Sequence, residues 1–362
     1  MNPATLAAAA AAASLLAAPA PAQTVTMDWV TIGNPGNAPD PTTGFGAVAY
    51  DYRIAATEVT NAQYTAFLNA VAASDPNGLY NPSMGSSARG GITRSGTAGS
   101  YVYTVKANFA DKPVNFVSWY DAARMANWMT NGQGSGGTET GVYALTGPTS
   151  IAAINRNLSN PNQVFIPTEN EWYKAAYHQP FARGGDTDDY WLYATQSNSA
   201  PTVASATTTG DVANPGQEVV NYATGADWNG LNGNVTTVRS TEGATFYGAF
   251  DMNGNIWEWN ETAIGSNRGF RGGSWTSQAG NLEASAQFES NPGSPVFTQI
   301  GFRLATPVCS TDLDNSGVTD LPDLLTVLSA FASSDAGDTD NSGTTDLNDL
   351  LAVLSNFGNP CP

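Results

Sequence analysis

Asp251-Met-Asn-Gly-Asn-Ile-Trp-Glu-Trp259 carries the clearest structural signal in this 362-residue chain, because it joins a polar turn to a short aromatic segment. Its second half, Ile256–Trp259, has the composition of a strand, as do Tyr247–Phe250 before it and Phe270–Trp275 after it. Short aromatic strands of this kind, combined with short helices, predict an α+β domain with few regular elements and much ordered loop.

Three short amphipathic helices are predicted from capping boxes, in which the first side chain and the one three positions later satisfy backbone N–H groups reciprocally. The boxes are Thr60-x-x-Gln63, Thr168-x-x-Glu171 and the looser Ser118-x-x-Asp121. Between the helices lie polar stretches rich in Gly, Ser, Thr and Asn, at residues 75–100, 130–160 and 181–245. These are too long for ordinary connections, and long irregular segments usually carry function.

Six motifs follow one another along the body: Glu58-Val-Thr-Asn61, Pro113-Val-Asn-Phe-Val-Ser-Trp119, Ile166-Pro-Thr-Glu-Asn-Glu-Trp172, the 251–259 segment, Arg271-Gly-Gly-Ser-Trp275 and Gly301-Phe-Arg303. In this order they resemble the formylglycine-generating enzyme, or sulfatase-modifying factor, family. The resemblance covers residues 23–306. It implies a single domain related to the C-type lectin fold, with little regular secondary structure and bound calcium.

The resemblance implies two calcium sites in the body. For the family's second ion site, the matching positions are Asp251, the carbonyls of Gly254 and Ile256, and Glu258. This mixture of carboxylate and backbone oxygen suits a hard cation. The other ion site falls around Asn221 and the carbonyl of Tyr222, with further ligands expected between residues 228 and 232. A hydrogen-bonded turn without metal is the alternative interpretation of the 251–258 segment.

The same resemblance implies that the family's chemistry is absent. Active members oxidise a substrate cysteine to formylglycine with copper held by two cysteines. Counting from the Gly-Gly-Ser motif puts those positions at Ser277 and Leu282. Neither side chain offers the thiolate that copper(I) prefers, and residues 23–308 contain no cysteine. A second catalytic branch, the iron-dependent sulfoxide synthases, needs a histidine cluster, whereas this chain has one histidine.

Other catalytic arrangements find little support. A Ser-His-Asp triad would have to use His178, which we interpret instead as a helix C-terminal residue favourable to the helix dipole. A hydrolytic pair of carboxylates could draw on Glu169, Glu171 or Glu258, but the sequence gives no reason to bring two of them within working distance. The sequence therefore favours a protein that is not an enzyme.

Residues 307–362 contain a repeat with an offset of 26 residues. Oxygen-bearing side chains stand at loop positions 1, 3, 5, 9 and 12, with glycine at 6 and a backbone carbonyl at 7, which is EF-hand spacing for calcium. The predicted ligands of the first loop are Asp312, Asp314, Ser316, Val318, Asp320 and Asp323. Those of the second loop are Asp338, Asp340, Ser342, Thr344, Asp346 and Asp349.

A leucine-rich helix is predicted after each loop, so residues 307–362 are expected to form a small all-α module. The repeats resemble a dockerin, the two-repeat calcium-binding module of many secreted bacterial proteins, which implies a cohesin-like receptor as partner. An acidic disordered tail, the alternative, does not explain Gly317 and Gly343 at the same loop position. Cys309 and Cys361, the only cysteines, flank the repeats and predict a disulfide in an exported protein.

Composition limits the cellular setting and the partners. Residues 1–22 are apolar, uncharged and end in Ala20-Pro21-Ala22, which predicts a cleaved signal peptide and a secreted or cell-envelope protein; an Ala/Pro leader is the alternative. No later stretch approaches the roughly 18 apolar residues of a membrane span. A net charge of −18 without a basic stripe argues against nucleic acid and anionic lipid as partners.

Three functions stay open at this point. The favoured one is a calcium-stabilised binding protein whose polar, aromatic loops contact a carbohydrate or a protein at the cell surface. The second is a divergent enzyme of the formylglycine-generating type that modifies exported polypeptides. In the third, the whole chain is structural, and its C-terminal module engages a receptor or forms a stable end cap.

Overall fold

The computed structural model describes residues 24–158, 160–294, 298–314, 316–339 and 343–359. Helices α1 to α6 span Asn61–Val71, Ser83–Ser86, Trp119–Thr130, Glu169–Tyr177, Leu321–Ala330 and Leu347–Asn356. Strands β1 to β13 span Trp29–Ile32, Tyr52–Ala55, Ile92–Ser95, Val102–Val105, Tyr143–Gly147, Ser150–Ile154, Thr202–Val203, Val219–Val220, Trp257–Ile264, Asn267–Arg271, Phe288–Ser290, Ile300–Gly301 and Ala305–Pro307. The predicted signal peptide, residues 1–22, lies outside the described residues.

The three predicted capping boxes are confirmed at the starts of α1, α3 and α4. In each, the side-chain oxygen of the N-cap residue accepts a hydrogen bond from the backbone N–H three positions later, and that later side chain accepts one from the N-cap N–H. The N-cap residues are Thr60, Ser118 and Thr168. Each box satisfies a donor that the first turn of a helix leaves unpaired.

Two sheets organise the body. A three-stranded antiparallel sheet with the order β1–β2–β13 pairs the beginning of the body with its end. A four-stranded sheet has the order β11–β10–β9–β12, in which β10 is antiparallel to both neighbours and β12 is parallel to β9. Strands β3 and β4 form a hairpin, β5 and β6 form another, and β7 and β8 form a short parallel pair.

One hydrophobic core connects both sheets with α1, α3 and α4. Four of the nine tryptophans are less than 2% exposed and belong to it: Trp119, Trp128, Trp172 and Trp259. Their indole N–H groups are hydrogen-bonded, for example that of Trp119 to the carbonyl of Asn260 and that of Trp259 to the carbonyl of Val117. Large rings therefore fill the space between irregular segments. Their burial stabilises the fold by roughly 25 cal/mol for each Å² of apolar area removed from water.

The structure corrects some of the predicted strands. Tyr247–Phe250 is wrong as a strand, because it lies in a turn that the bridge between Ala244 and Phe250 closes, with Gly248 at a φ of +87°. Strand β10 ends at Arg271 instead of continuing to Trp275, since Gly272 and Gly273 both have positive φ. The stretches 75–100 and 130–160 also contain β3 and the β5–β6 hairpin, which their polar composition concealed.

In the C-terminal region, α5 and α6 follow the two repeats, where leucine-rich helices are predicted. Their buried apolar residues are small: Val327, Ala330 and Val353. Larger apolar side chains are 41–59% exposed and recur at the repeat offset: Leu321, Leu325, Leu328, Phe331, Leu347, Leu351, Leu354 and Phe357. Throughout the described part of the chain, helices fall short of the length and apolar character that crossing a membrane requires.

Candidate functional site

The four-stranded sheet places one apolar residue from each strand at the same end: Trp257 of β9, Phe270 of β10, Phe288 of β11 and Ile300 of β12. The register sets Ile300 opposite Trp257, and Phe288 opposite Phe270. These side chains form one wall of a cleft with a volume of about 400 Å³. The cleft is within the size range of small-molecule sites, roughly 300–1,000 Å³.

The aromatic wall is a packed group of three rings. The centroid of Trp257 lies 4.8 Å from that of Phe288 and 5.3 Å from that of Phe270. The two phenylalanine rings are 6.0 Å apart, with an angle of 21° between their planes. Phe288 is 38% exposed. One side of this ring group is therefore packed against the protein, and the other side is accessible to a ligand.

The rest of the cleft is lined by hydroxyl, amide and carboxylate side chains: Thr276, Ser277, Asn281, Glu289, Ser290 and Gln299. Several are held in place by internal hydrogen bonds. The amide nitrogen of Gln299 donates to Thr276 Oγ1 at 3.0 Å, and the hydroxyl of Ser277 accepts from the backbone N–H of Ser274 at 2.9 Å. The polar lining is therefore preorganised.

The two positions predicted to correspond to copper-binding cysteines have different surroundings. Ser277 lines the cleft, although it is only 6% exposed. Leu282 is fully buried in a small cluster with Tyr193, Val220 and Tyr222. Its side chain also fills the space beside Gly273, where an added Cβ would come within 2.2 Å of Leu282 Cδ2. Position 282 is thus used for packing, and a copper(I) ion does not fit this hydroxyl and aliphatic pair.

Among the ligands predicted from the 251–258 segment, Glu258 is engaged with protein donors. Its two carboxylate oxygens accept hydrogen bonds from the Arg303 guanidinium at 2.6 and 2.7 Å, and one of them also accepts from Trp172 Nε1 at 2.8 Å. Asp251 accepts hydrogen bonds from the backbone N–H of Arg239 and from the Thr241 hydroxyl. The structure brings both carboxylates into one buried region, where they also stabilise a turn and an arginine.

The side chain of Asn221 carries a buried oxygen without a hydrogen-bond partner. Asn221 is 1% exposed, and its Oδ1 has no hydrogen-bond partner among the described residues. The side-chain amide of Asn221 donates to the carbonyl of Asn234 at 2.9 Å, and the backbone N–H of Asn255 donates to the carbonyl of Asn221 at 2.8 Å. A buried amide oxygen without a hydrogen-bond partner is a ligand type that suits a hard cation. The carbonyl of Tyr222 accepts from the N–H of Gly225.

The sequence interpretation missed the hydrogen-bond partners of Asn221. The carbonyl of Asn234, the hydroxyl of Thr236 and the side-chain oxygen of Asn255 accept from its side-chain nitrogen. The further ligands expected between residues 228 and 232 stay a prediction. Glycine at position 254 allows the backbone of the 251–258 segment to lie close to Asn221, because a Cβ there would be 2.4 Å from the carbonyl oxygen of Asn221. The two predicted ion sites are therefore neighbours in space, which only the fold could reveal.

Glu58 is a second residue whose environment was not foreseen. It is fully buried, and neither carboxylate oxygen has a hydrogen-bond partner among the described residues. Burial raises the pKa of Glu58 well above its ordinary value, and the nearby negative charges of Asp251 and Glu258 add to this. The motif Glu58-Val-Thr-Asn61 was the signal that could have directed attention to it.

The other carboxylates considered for catalysis are each paired with an arginine. Glu169 lies 2.5 Å from Arg271, and Glu171 lies 2.5 Å from Arg156. Both glutamates are almost fully buried. The arrangement pairs each carboxylate with a cation inside the body, so the glutamates serve as anchors for the buried Arg271 and the half-buried Arg156.

His178 ends α4, as predicted, and its N–H donates to the carbonyl of Lys174. Its ring Nδ1 lies 2.7 Å from the hydroxyl of Tyr247. Burial lowers the pKa of His178 to about 4, and the positive charge of Lys174 adds to this. The imidazole is therefore neutral at physiological pH, so the predicted interaction with the helix dipole, which requires a charge, does not operate there.

In the first C-terminal repeat, the carboxylates of Asp312, Asp314 and Asp323 converge, with ligand atoms within 4.8 Å of one another. Asp312 accepts hydrogen bonds from the N–H groups of Ser316 and Gly317. The hydroxyl of Ser316 donates to the carbonyl of Val318, and Asp320 has a buried, unpaired Oδ1. A set of this kind suits calcium.

The second repeat is described in part, since Asp340 and Ser342 lie outside the described residues. Asp338 accepts from the N–H of Gly343 at 2.6 Å, as Asp312 does from Gly317. Asp346 and Asp349 occupy the N-cap and third positions of α6, in the same way as their counterparts on α5, and Thr344 precedes them. Cys309 is buried and no described cysteine is free, but Cys361 lies outside the described residues, so the disulfide stays a prediction.

Comparison with known proteins adds a family match. The model of the family described as sulfatase-modifying factor enzyme 1-like domain matches residues 32–308. Among solved structures, the chain is similar to CarF, with 21% identity, a TM-score of 0.47, and coverage of 78% of this chain and 99% of that one. It is also similar to Treponema denticola variable protein 1, with 18% identity, a TM-score of 0.43, and coverage of 79% and 97%.

PvdO from Pseudomonas aeruginosa is a third similar structure, with 18% identity, a TM-score of 0.39, and coverage of 78% of this chain and 92% of that one. No curated protein sequence matches the chain significantly.

Proposed function

Since the chain belongs to the family of sulfatase-modifying factor enzyme 1-like domains, we propose that it is an exported member that binds a surface ligand instead of oxidising cysteine. The ligand site is the cleft walled by Trp257, Phe270 and Phe288. The single observation that carries this proposal is the content of the cleft, where a serine hydroxyl and preorganised amides surround an open aromatic face. Such a surface offers contact area and hydrogen bonds without a redox group.

Calcium is the proposed cofactor, with a structural role. In the body, Asn221 Oδ1 would hold the ion, which would compensate the buried oxygen that protein donors leave unpaired. The neighbouring Glu258 is less suited to the role, because Arg303 and Trp172 already occupy its oxygens. In the C-terminal loops, calcium would neutralise the convergent carboxylates of Asp312, Asp314 and Asp323.

The C-terminal module is proposed to dock the protein to a receptor of the cohesin type. The support is its unusual distribution of apolar residues, since the side chains at the repeat offset are large and exposed while the buried ones are small. Exposed apolar faces of this kind mark interaction surfaces. The Leu325→Asp and Leu351→Asp double variant would lose calcium-dependent capture from an envelope fraction. A module that serves only as an end cap would show no such capture in the unaltered protein.

Residues 1–22 support the exported localisation, and the pairing of Cys309 with Cys361 would suit the oxidising conditions outside the cytosol. Mass spectrometry of the exported protein checks both features at once. A mature N-terminus at Gln23 and no alkylation of cysteine before reduction are expected. An intact leader together with two free thiols contradicts this part of the proposal.

The alternative function is a divergent enzyme of the formylglycine-generating type, which family membership favours. To test it, the purified protein is incubated with copper and a peptide containing Cys-x-Pro-x-Arg, and the peptide mass is measured. Ser277 and Leu282 offer no thiolate, so the peptide should stay unchanged. Aldehyde formation above the level of a copper-only control would overturn the binding function as the sole activity.

The binding function itself is tested by retention of the full-length protein on envelope material from the producing organism. Phe288→Ala removes the exposed ring of the cleft and should reduce retention about tenfold. The matched control is Phe181→Ala, which removes an aromatic ring that is 63% exposed and does not line the cleft. Equal retention of the unaltered protein and the Phe288 variant would refute the cleft as the binding site.

A further inference from the structure

Building on the proposed binding function, we infer that the cleft beside Ser277 takes an uncharged carbohydrate. A pyranose ring would lie against the rings of Trp257 and Phe288, with its hydroxyls paired to Thr276, Asn281 and Gln299. The inference rests on the shape of the aromatic wall, on the kind of polar groups around it, and on the charge of the lining.

The aromatic wall fits a flat ligand with an apolar face. Trp257 and Phe270 are half-buried and hold the position of Phe288, whose ring stays 38% exposed. A pyranose presents C–H groups on one face, which can cover such rings while its edge carries hydroxyls. Covering the exposed ring removes apolar area from water at roughly 25 cal/mol per Å².

The polar lining fits the edge of a sugar ring. A sugar hydroxyl both donates and accepts hydrogen bonds, and side-chain hydroxyls and amides do the same. Thr276 and Gln299 are already hydrogen-bonded to each other, so their remaining donors and acceptors point in fixed directions. An apolar ligand group would cover the aromatic wall but leave the remaining donors and acceptors of the lining without partners, which costs about 1–3 kcal/mol per buried group.

The charge of the lining selects against acidic ligands. Glu289 is the one ionisable side chain among the described residues that line the cleft, so an amine, guanidinium or imidazole is missing there. The chain as a whole carries a net charge of −18. A uronate, sulfate or phosphate group would thus face the Glu289 carboxylate without a counter-charge in the lining, and an uncharged sugar would not.

The volume of the cleft limits the length of the ligand. At about 400 Å³ it suits a short segment of a chain, not an extended groove along a polymer. Because the cleft is open at the front, the rest of a polysaccharide could continue into solvent. The expected ligand is therefore a segment of an uncharged surface polysaccharide.

The experiment measures binding of hexasaccharides to the full-length protein by calorimetry and by tryptophan fluorescence. The probes are the hexasaccharides of β-linked glucose, mannose and N-acetylglucosamine, with hexagalacturonate as the acidic counterpart. At least one neutral probe should bind and change the fluorescence, since Trp257 lies in the wall. Hexagalacturonate should bind at least tenfold more weakly than the best neutral probe.

Two variants locate the site. Phe288→Ala should weaken the best neutral probe about tenfold, and Phe181→Ala should leave its affinity unchanged. Absence of saturable binding to every neutral probe, tighter binding of hexagalacturonate, or equal affinity in the Phe288 variant would each overturn the carbohydrate assignment. If Phe288→Ala still reduces retention on envelope material in those cases, the binding function survives with another ligand class. If retention is also unchanged, the proposed function fails too.

Discussion

Arg303 is fully buried at the centre of a network that ties distant parts of the body together. Its guanidinium donates to both oxygens of Glu258 and to the carbonyls of Ala55 and Phe250. A buried guanidinium is tolerated only where its charge and its donors are matched. Glu258 of the 251–259 segment therefore stabilises the body by pairing with an arginine from the C-terminal end of the body.

Removal of the Glu258 charge is expected to be strongly destabilising. Glu258→Gln leaves the buried guanidinium of Arg303 without its closest counter-charge, and breaking a buried pair in this way costs about 3–5 kcal/mol. Urea unfolding measures the loss of free energy. Glu289→Gln, which removes an exposed carboxylate, is the control and should stay within about 0.5 kcal/mol of the unaltered protein. A small effect at position 258 would mean that other groups neutralise Arg303.

Glu58→Gln is expected to stabilise the folded protein at neutral pH, in contrast to Glu258→Gln. The pKa of Glu58 is raised in the folded protein, so its neutral form is favoured there. Its contribution to stability is present below the unfolded pKa of about 4.3 and is lost as the pH rises through that value toward the folded pKa. Glutamine stays neutral throughout, so the variant should gain stability at pH 7 and gain nothing at pH 4.

The two substitutions should be coupled. In the Glu258→Gln background, Glu58 is one of the remaining carboxylates that can ionise beside Arg303. Glu58→Gln should then destabilise the protein, although it stabilises the protein when Glu258 is present. Four urea unfolding curves at pH 7 complete this double-mutant cycle. Additive effects would show that Glu58 does not respond to Arg303.

At the scale of elements, the helix starts were predictable because their determinants are local. A capping box joins residues three positions apart, so its pattern is visible without knowledge of the fold. The buried pairs were not predictable, because Glu169 and Arg271 lie 102 residues apart and Glu258 and Arg303 lie 45 apart. Ser277 could likewise be singled out by counting along the chain from the Gly-Gly-Ser motif, whereas the aromatic wall depends on the registers of four strands.

The capping box of α4 is expected to contribute measurably to the stability of the body. Thr168→Ala removes the oxygen that accepts from the N–H of Glu171, at a cost of about 1 kcal/mol. Thr168→Ser keeps the oxygen and should retain most of the stability. Thermal unfolding of both variants separates the cap from packing. Equal loss in the serine and alanine variants would show that the methyl group of Thr168 matters, and not its hydroxyl.

At the scale of the whole molecule, the tryptophans and the acidic loops lie in different parts of the chain. All nine tryptophans lie between residues 29 and 275, whereas residues 309–362 contain nine aspartates and no lysine or arginine. The body has an extended hydrophobic core, but the buried apolar residues of α5 and α6 are only Val327, Ala330 and Val353. So small a core is marginal without further cross-links, which makes the C-terminal module dependent on its loops.

Loss of calcium is therefore expected to unfold the C-terminal module before the body. The α5 and α6 helices account for about a third of the described α-helical residues, so chelation should remove about a third of the helical circular dichroism. The Asp312→Asn and Asp338→Asn double variant isolates this effect, because it weakens both loops while calcium remains available to the body. In calcium it should lose the same helical signal and keep its near-ultraviolet tryptophan spectrum. Full helicity of this variant, or of the unaltered protein in excess chelator, would contradict a calcium-dependent module. Coupled loss of the tryptophan spectrum in the variant would show that the body and the module unfold as one unit.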